Sequence, residues 1–200
     1  MNKKTIITAL LALVAMAGQS QEIKMNEPSF KDYLPVLNAQ GYISYGFDVS
    51  MFEGKQARPV VKEYVNGQEV EDRMSRIPFP VLLPLHDELV VGFLPAKNDS
   101  TAECVIYTHG GASINPTLDR KPIQWNSKPY YCYGTRPFEL VPPFKVGDFI
   151  PLVLYGSYWY DADFNVTRFC GENFVKPDLS SEHLLKDTPH YYVIGIKVEE

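Results

Sequence analysis

Cysteine, histidine and basic charge are all scarce in this sequence, and each scarcity removes a class of function. Three cysteines occur in 200 residues, Cys104, Cys132 and Cys170, and no two are spaced Cys-x-x-Cys. The four histidines, His86, His109, His183 and His190, stand apart from one another and from the cysteines. No zinc-type ligand spacing therefore exists, and no resident metal is expected. Lys and Arg number 19 against 24 Asp and Glu, for a net charge of −5 with no basic stripe. That balance argues against a nucleic-acid partner. Gly-x-Ser-x-Gly, the nucleophile turn of the α/β-hydrolases, is absent. Beyond the N-terminus no apolar run approaches the ~18 residues that a membrane helix needs.

What is present begins with a three-part N-terminus. Met1–Lys4, "MNKK", is positive; Thr5–Met16, "TIITALLALVAM", is an apolar core; small residues follow at Ala15, Ala17, Gly18 and Ser20. This is the pattern of a signal peptide, with residues 1–20 removed near Ser20 and Gln21. No cysteine stands at the cleavage point to carry a lipid. The expectation is an exported protein, periplasmic or extracellular, that is not lipid-anchored and does not span a membrane.

Residues 21–40 read as a polar lead-in with Pro28, Pro35 and one short helical turn around Phe30 to Tyr33. From Tyr42 the apolar period becomes two: Ile43, Tyr45, Phe47, Val49 and Met51 share one face, as in a half-buried strand. Asn66-Gly67 lies between β-prone runs and predicts a type I′ hairpin turn, with Lys62, Glu69, Glu71 and Asp72 on a solvated side. "IPFPVLLPL", Ile77–Leu85, has three prolines and reads as an irregular or edge segment. Strands are expected at 88–94 and 102–108, a long irregular loop at 112–129, and a short strand at 130–133. A hairpin is expected from 149–160 and 164–170, a short helix at 181–186 and a last strand at 190–198. Sixteen prolines and thirteen glycines, spread along the chain, suit many turns and few long helices. The fold class is mainly β: an antiparallel β-sandwich of the immunoglobulin-like type over residues 41–200, with one or two short helices. A closed barrel is the alternative.

"CVIYTHGGAS", Cys104–Ser113, is the one stretch that suggests chemistry, because a strand running into His-Gly-Gly resembles an esterase oxyanion loop. The fold the pattern predicts has neither the helices nor the serine turn such an enzyme requires. His109-Gly110-Gly111 is therefore read as a turn at a strand end. Cys104 alternates with Ala102 and Ile106 and reads as a core residue. Cys132 and Cys170 are the pair expected to form a disulfide, if the chain forms one. No catalytic residue and no cofactor is assigned.

The leader "LLALVAMAGQSQE" and the phrase "FKVGDFIPLVLYGSYWYD" resemble uncharacterised secreted families, domains of unknown function, from gut Bacteroides and their relatives. The resemblance implies the compartment and the sandwich, and no activity. Asp99-Ser100-Thr101 similarly resembles the O-glycosylation acceptor of those bacteria, with Ser100 as the acceptor. Aromatics are the most suggestive feature: Trp125, Tyr130, Tyr131 and Tyr133 cluster in and after the long loop, and Trp159 follows. Exposed rings of this kind stack on sugars, and sandwich loops often carry binding sites. The expected function is a non-enzymatic binding or envelope-associated module, with carbohydrate or another envelope protein as partner. An enzyme whose site is assembled from distant loops, or a structural or adhesion subunit, is the alternative.

Overall fold

The computed structural model describes residues 24–109, 111–125, 128–169, 173–179 and 184–200. The chain divides into two units, residues 1–35 and 36–200. The single turn expected near Phe30 is a ten-residue helix, α1 (Phe30–Ala39). Its start is fixed by Ser29, whose backbone N–H and hydroxyl both donate to the Asp32 carboxylate, at 2.6 and 2.8 Å. Those two bonds hold the Asp32 carboxyl below the usual carboxylate range. Gly41, at φ +90°, ends the helix, and its N–H donates to the Asn38 carbonyl at 2.9 Å.

Strand β1 (Ile43–Asp48) leads through a 3₁₀ turn (Ser50–Phe52) to β2 (Gln56–Val65) and β3 (Gln68–Asp72). A second 3₁₀ turn (Arg73–Arg76) precedes β4 (Leu83–Pro84), β5 (Glu88–Phe93) and β6 (Thr101–Thr108). Four short strands follow: β7 (Ser113–Ile114), β8 (Thr117–Asp119), β9 (Ile123–Trp125) and β10 (Lys128–Tyr130). Then come β11 (Tyr133–Pro137), β12 (Phe149–Ser157), β13 (Trp159–Asp161) and β14 (Val166–Arg168). A helical turn α2 (Leu184–Asp187) and β15 (His190–Glu199) complete the described elements.

Two antiparallel sheets carry the fold. One runs β1-β5-β6-β7, with β8 also on β6; the other runs β11-β12-β15-β2-β3, with β4 also on β2. Both are open at their ends, so the fold is a sandwich and not a barrel. Their facing sides share one core. Phe47, Leu89, Val91, Phe93, Cys104 and Ile106 of the first sheet meet Ala57, Val61, Leu152, Tyr155, Ile194 and Ile196 of the second. Phe93 stacks on Tyr155 across the gap, 5.1 Å between ring centres. The outer face of the second sheet is covered too: Tyr64, Leu154, Tyr191 and Val193 pack with Phe138 and Val175. This explains why β12 and β15 read as nearly continuous apolar runs rather than as alternation.

Local patterns were reliable guides. Asn66 and Gly67 both carry positive φ, 48° and 77°, as the expected turn requires, and β2 and β3 pair around them. β5 and β6 form the expected hairpin, and residues 77–82 lie outside any strand. Four expectations need correction. The strand expected at 130–133 is broken, since β10 ends at Tyr130 and β11 begins at Tyr133. Met51 is exposed, because the chain turns into the 3₁₀ segment and buries Phe52 instead. Residues 112–129 are not an irregular loop: β7 and β8 take up the outer edge of β6 and bury Leu118 completely. The run 149–160 breaks at Tyr158, so β12 pairs with β11 and β15, and the hairpin belongs to β13 and β14 alone. The described helical residues of α2 overlap the expected helix, whose first residues, 181–183, lie outside the described residues.

One glycine fixes the centre of the second sheet. The register of β12 on β15 shifts between Pro151 and Val153, so Leu152 is the extra residue of a bulge beside a proline that has no N–H to donate. Gly195 faces this bulge, where an added Cβ would come within 2.2 Å of the Ile150 carbonyl oxygen and 2.8 Å of the Phe149 ring. Gly195→Ala is expected to lower unfolding stability by ~2 kcal/mol or more, measured by urea denaturation, whereas Gly54→Ala, with open space around it, will show only the cost of its positive φ.

Candidate functional site

Period two places Val61 on the inner face of β2, and Glu63 two residues on continues that face. The same rule carries His190 inward beside Tyr192, Ile194 and Ile196 on β15. A carboxylate and an imidazole thus enter one end of an apolar core. They meet there: His190 Nε2 lies 3.0 Å from Glu63 Oε1, and both side chains are buried. On the other side of the ring the Tyr133 hydroxyl lies 2.5 Å from Nδ1. The Glu63 carboxylate can only accept, so in the neutral ring the proton sits on Nε2 and Nδ1 accepts from the phenol. Burial is the largest influence on His190 and pulls its pKa below the ordinary histidine value, with Glu63 opposing.

Further charges complete the cluster. Arg73, buried in the turn after β3, sets its Nε 3.3 Å from Glu63 Oε2 as an ion pair and also pairs with Asp119 and Glu71. Its guanidinium donates to the Tyr192 hydroxyl at 3.3 Å, and that hydroxyl donates to the Asp119 carbonyl at 2.9 Å. Lys121 sets Nζ 3.6 Å from Glu63 Oε1, and its backbone N–H donates to the Tyr133 hydroxyl at 2.8 Å. Buried charges need such partners. The cluster fastens segment 119–121 to the second sheet.

The two small hairpins beyond that segment carry the sequence-predicted aromatics. β9 pairs with β10, and β13 of the second hairpin packs beside β9. Trp125 meets Tyr130 edge to face at 5.1 Å; Trp125 and Trp159 are half-buried and Tyr130 is exposed. Tyr131 is half-buried, and its carbonyl accepts from Arg120. Tyr133 does not join this surface. Its ring stacks on Tyr155 at 5.0 Å and meets His190 edge-on, with the Arg120 guanidinium over it.

The remaining candidates are scattered. Ser100 is exposed in the β5–β6 turn, where its N–H and hydroxyl both donate to the Asn98 side chain. Cys104 is fully buried, and burial pushes its thiol pKa up. Cys132 is half-buried beside the Tyr130 hydroxyl; its suggested partner Cys170 lies outside the described residues. Gly111, at φ +88°, closes the turn after β6, and its N–H donates to the Thr108 carbonyl. His109 in that turn sits between Asp87 at 3.5 Å and Glu88 at 3.1 Å. With Ser50, Glu53 and His86 it lines an open cleft of about 370 Å³.

Residues 83–200, more than half of the chain, match the sequence pattern of DUF5041, a domain of unknown function. The chain belongs to the DUF5041 family. No curated protein and no solved structure is similar to it at a significant level. The DUF5041 region begins at β4 and supplies Asp119, Lys121, Tyr133, His190 and Tyr192, whereas Glu63 and Arg73 precede it.

Sequence reasoning missed Glu63, Arg73 and His190. The usable signal was phase: Glu63 and His190 fall on the inward set of otherwise apolar strands, where a charge implies a partner. Glu63→Gln removes the charge that Arg73 and Lys121 face, and is expected to lower unfolding stability by about 3 kcal/mol, read by urea denaturation. Glu103→Gln, whose partner Lys97 is exposed, will change it by less than ~1 kcal/mol.

Proposed function

We propose that this protein is an exported, non-enzymatic binding module of the cell envelope, with a glycan as its ligand. One observation carries the reading: the fold sets the Trp125–Tyr130 pair on a hairpin beside β13, which presents Trp159. Half-exposed rings on adjacent short hairpins form a surface on which a sugar ring can stack, and the charged cluster behind them holds that surface in place. The leader pattern at residues 1–20 and the resemblance to secreted Bacteroides families support export. A glycan array with the full sandwich, followed by titration of the best binder by tryptophan fluorescence, tests the reading. Trp125→Ala and Trp159→Ala are expected to weaken binding roughly tenfold each while leaving the far-UV circular dichroism unchanged. Absence of any bound glycan, or equal binding by both variants, would overturn it.

An enzyme reading draws on the Glu63–His190–Tyr133 chain, which has the order of a proton relay. The burial of Glu63 and His190, and the packing of the phenol on Tyr155, favour a scaffold role. Export has its own check. Intact mass of the protein recovered from cells should correspond to a chain beginning close to Gln21; an unprocessed Met1 would refute the leader.

A further inference from the structure

The Glu63 cluster brings two bases to a single carboxylate oxygen. His190 Nε2 at 3.0 Å and Lys121 Nζ at 3.6 Å both address Oε1, while Oε2 faces Arg73 at 3.3 Å. Neutral His190 leaves Oε1 as an acceptor for one formal cation, Lys121. Protonated His190 would be a second cation on the same atom, beside the buried Arg73. The three side chains differ in freedom. His190 and Arg73 are buried, while the Lys121 side chain is 49% exposed. The only cation able to leave at little cost is Lys121, because water can solvate it outside.

Lys121 is also a clasp through its backbone. Its N–H donates to the Tyr133 hydroxyl, and it directly follows Asp119 and Arg120, which hold Arg73, Tyr192 and the Tyr131 carbonyl. Protonating Nδ1 of His190 also turns that atom from acceptor to donor. The phenol proton must then find another acceptor, and the Lys121 carbonyl at 3.4 Å is the nearest recorded. One protonation therefore weakens the ion pair and redirects the phenol proton, while the phenol oxygen can still accept from the Lys121 N–H.

We infer that His190 and Lys121 form a charge-exchange latch: proton uptake by His190 displaces Lys121 from Glu63 and loosens segment 117–125, which leads into the aromatic hairpin. The groups that set its response come from every element around the imidazole. They are Glu63 on β2, Arg73 and its partner Glu71 beside β3, Asp119 on β8, Arg120 and Lys121 after it, Tyr133 on β11, Tyr155 on β12 and Tyr192 on β15. The direction of the pH dependence follows from burial. Its folded pKa lies below the unfolded value of 6.5. The unfolded or opened state therefore takes up the proton first, and the hold is complete above that value. It weakens as pH falls from there toward the folded pKa, and this group adds no further loss below it.

Hydrogen exchange on the full chain, with rates corrected for intrinsic pH dependence, tests this without any ligand, so the outcome is independent of the glycan reading. Between about pH 7.5 and about pH 5.5 the protection of residues 117–125 should fall about tenfold, while that of β5 and β6 holds. In Lys121→Gln the fall should shrink to below about threefold, and the His190 resonance should titrate roughly half a unit higher, because the repelling cation is gone. His190→Gln assigns that resonance and should abolish the fall. Equal loss of protection in wild type and Lys121→Gln, or a His190 titration unmoved by removing Lys121, would overturn the latch.

Discussion

The structure turns on one buried carboxylate. Glu63 sits at the end of an apolar core, where an unpaired charge costs several kcal/mol, and the chain answers with partners drawn from three separate places. Arg73 comes from the turn after β3, Lys121 from the segment after β8, and the imidazole of His190 from the first residue of β15. Such an assembly adds little net stability, since desolvation offsets most of the attraction. Its effect is positional. A carboxylate that takes one hydrogen bond from His190 and ion-pairs with Arg73 and Lys121 narrows the placement of each partner, whereas apolar contacts would tolerate several.

That placement is transmitted through rings. Tyr192 packs edge-on against His190 at 5.0 Å, His190 against Tyr133 at 5.9 Å, Tyr133 on Tyr155 at 5.0 Å and Tyr155 on Phe93 at 5.1 Å. The chain of contacts runs from the charged end into the centre of the sandwich and crosses from one sheet to the other. Aromatic side chains suit this task because they have few rotamers and large contact faces, so ordering them costs little entropy for the area gained. Much of the aromatic content that the sequence displays is thus spent on the scaffold. The Trp125–Tyr130 pair and the nearby hairpin of Trp159 stand outside that chain of rings.

The same division marks what could be read in advance. Asn66-Gly67 and the alternation over 88–94 and 102–108 specify hairpins because their partners are close in the chain and their turn chemistry is local. The pairing of β2 with β15 joins residues more than a hundred positions apart, and no local pattern encodes it. It decides which charges meet. Once β15 lies on β2, Tyr191 opposes Tyr64 and Tyr192 opposes Glu63, and His190 arrives beside the carboxylate. Tyr133 shows the converse error of inference. Grouped by sequence with Trp125 and Tyr130, it belongs by contact to the buried cluster, because β11 pairs with β12 and turns its ring onto Tyr155. Cys104, placed in the core by alternation alone, lies there.

The DUF5041 region raises a last structural point. Residues 83–200 contain β4 to β15 but omit β1 to β3. β15 pairs with β2 over its whole length, from His190 opposite Val65 to Glu199 opposite Gln56. Without β1, the turn after it and β2, the edge of a long apolar strand would stand open, the core would lose Phe47, Val49, Phe52, Ala57 and Val61, and Lys121 and His190 would lose their carboxylate. The sandwich therefore closes only when residues 43–82 join the matched region. The smallest unit that satisfies both the strand edges and the buried charges runs from β1 to β15, so the shared sequence pattern marks part of a folding unit and not its boundary.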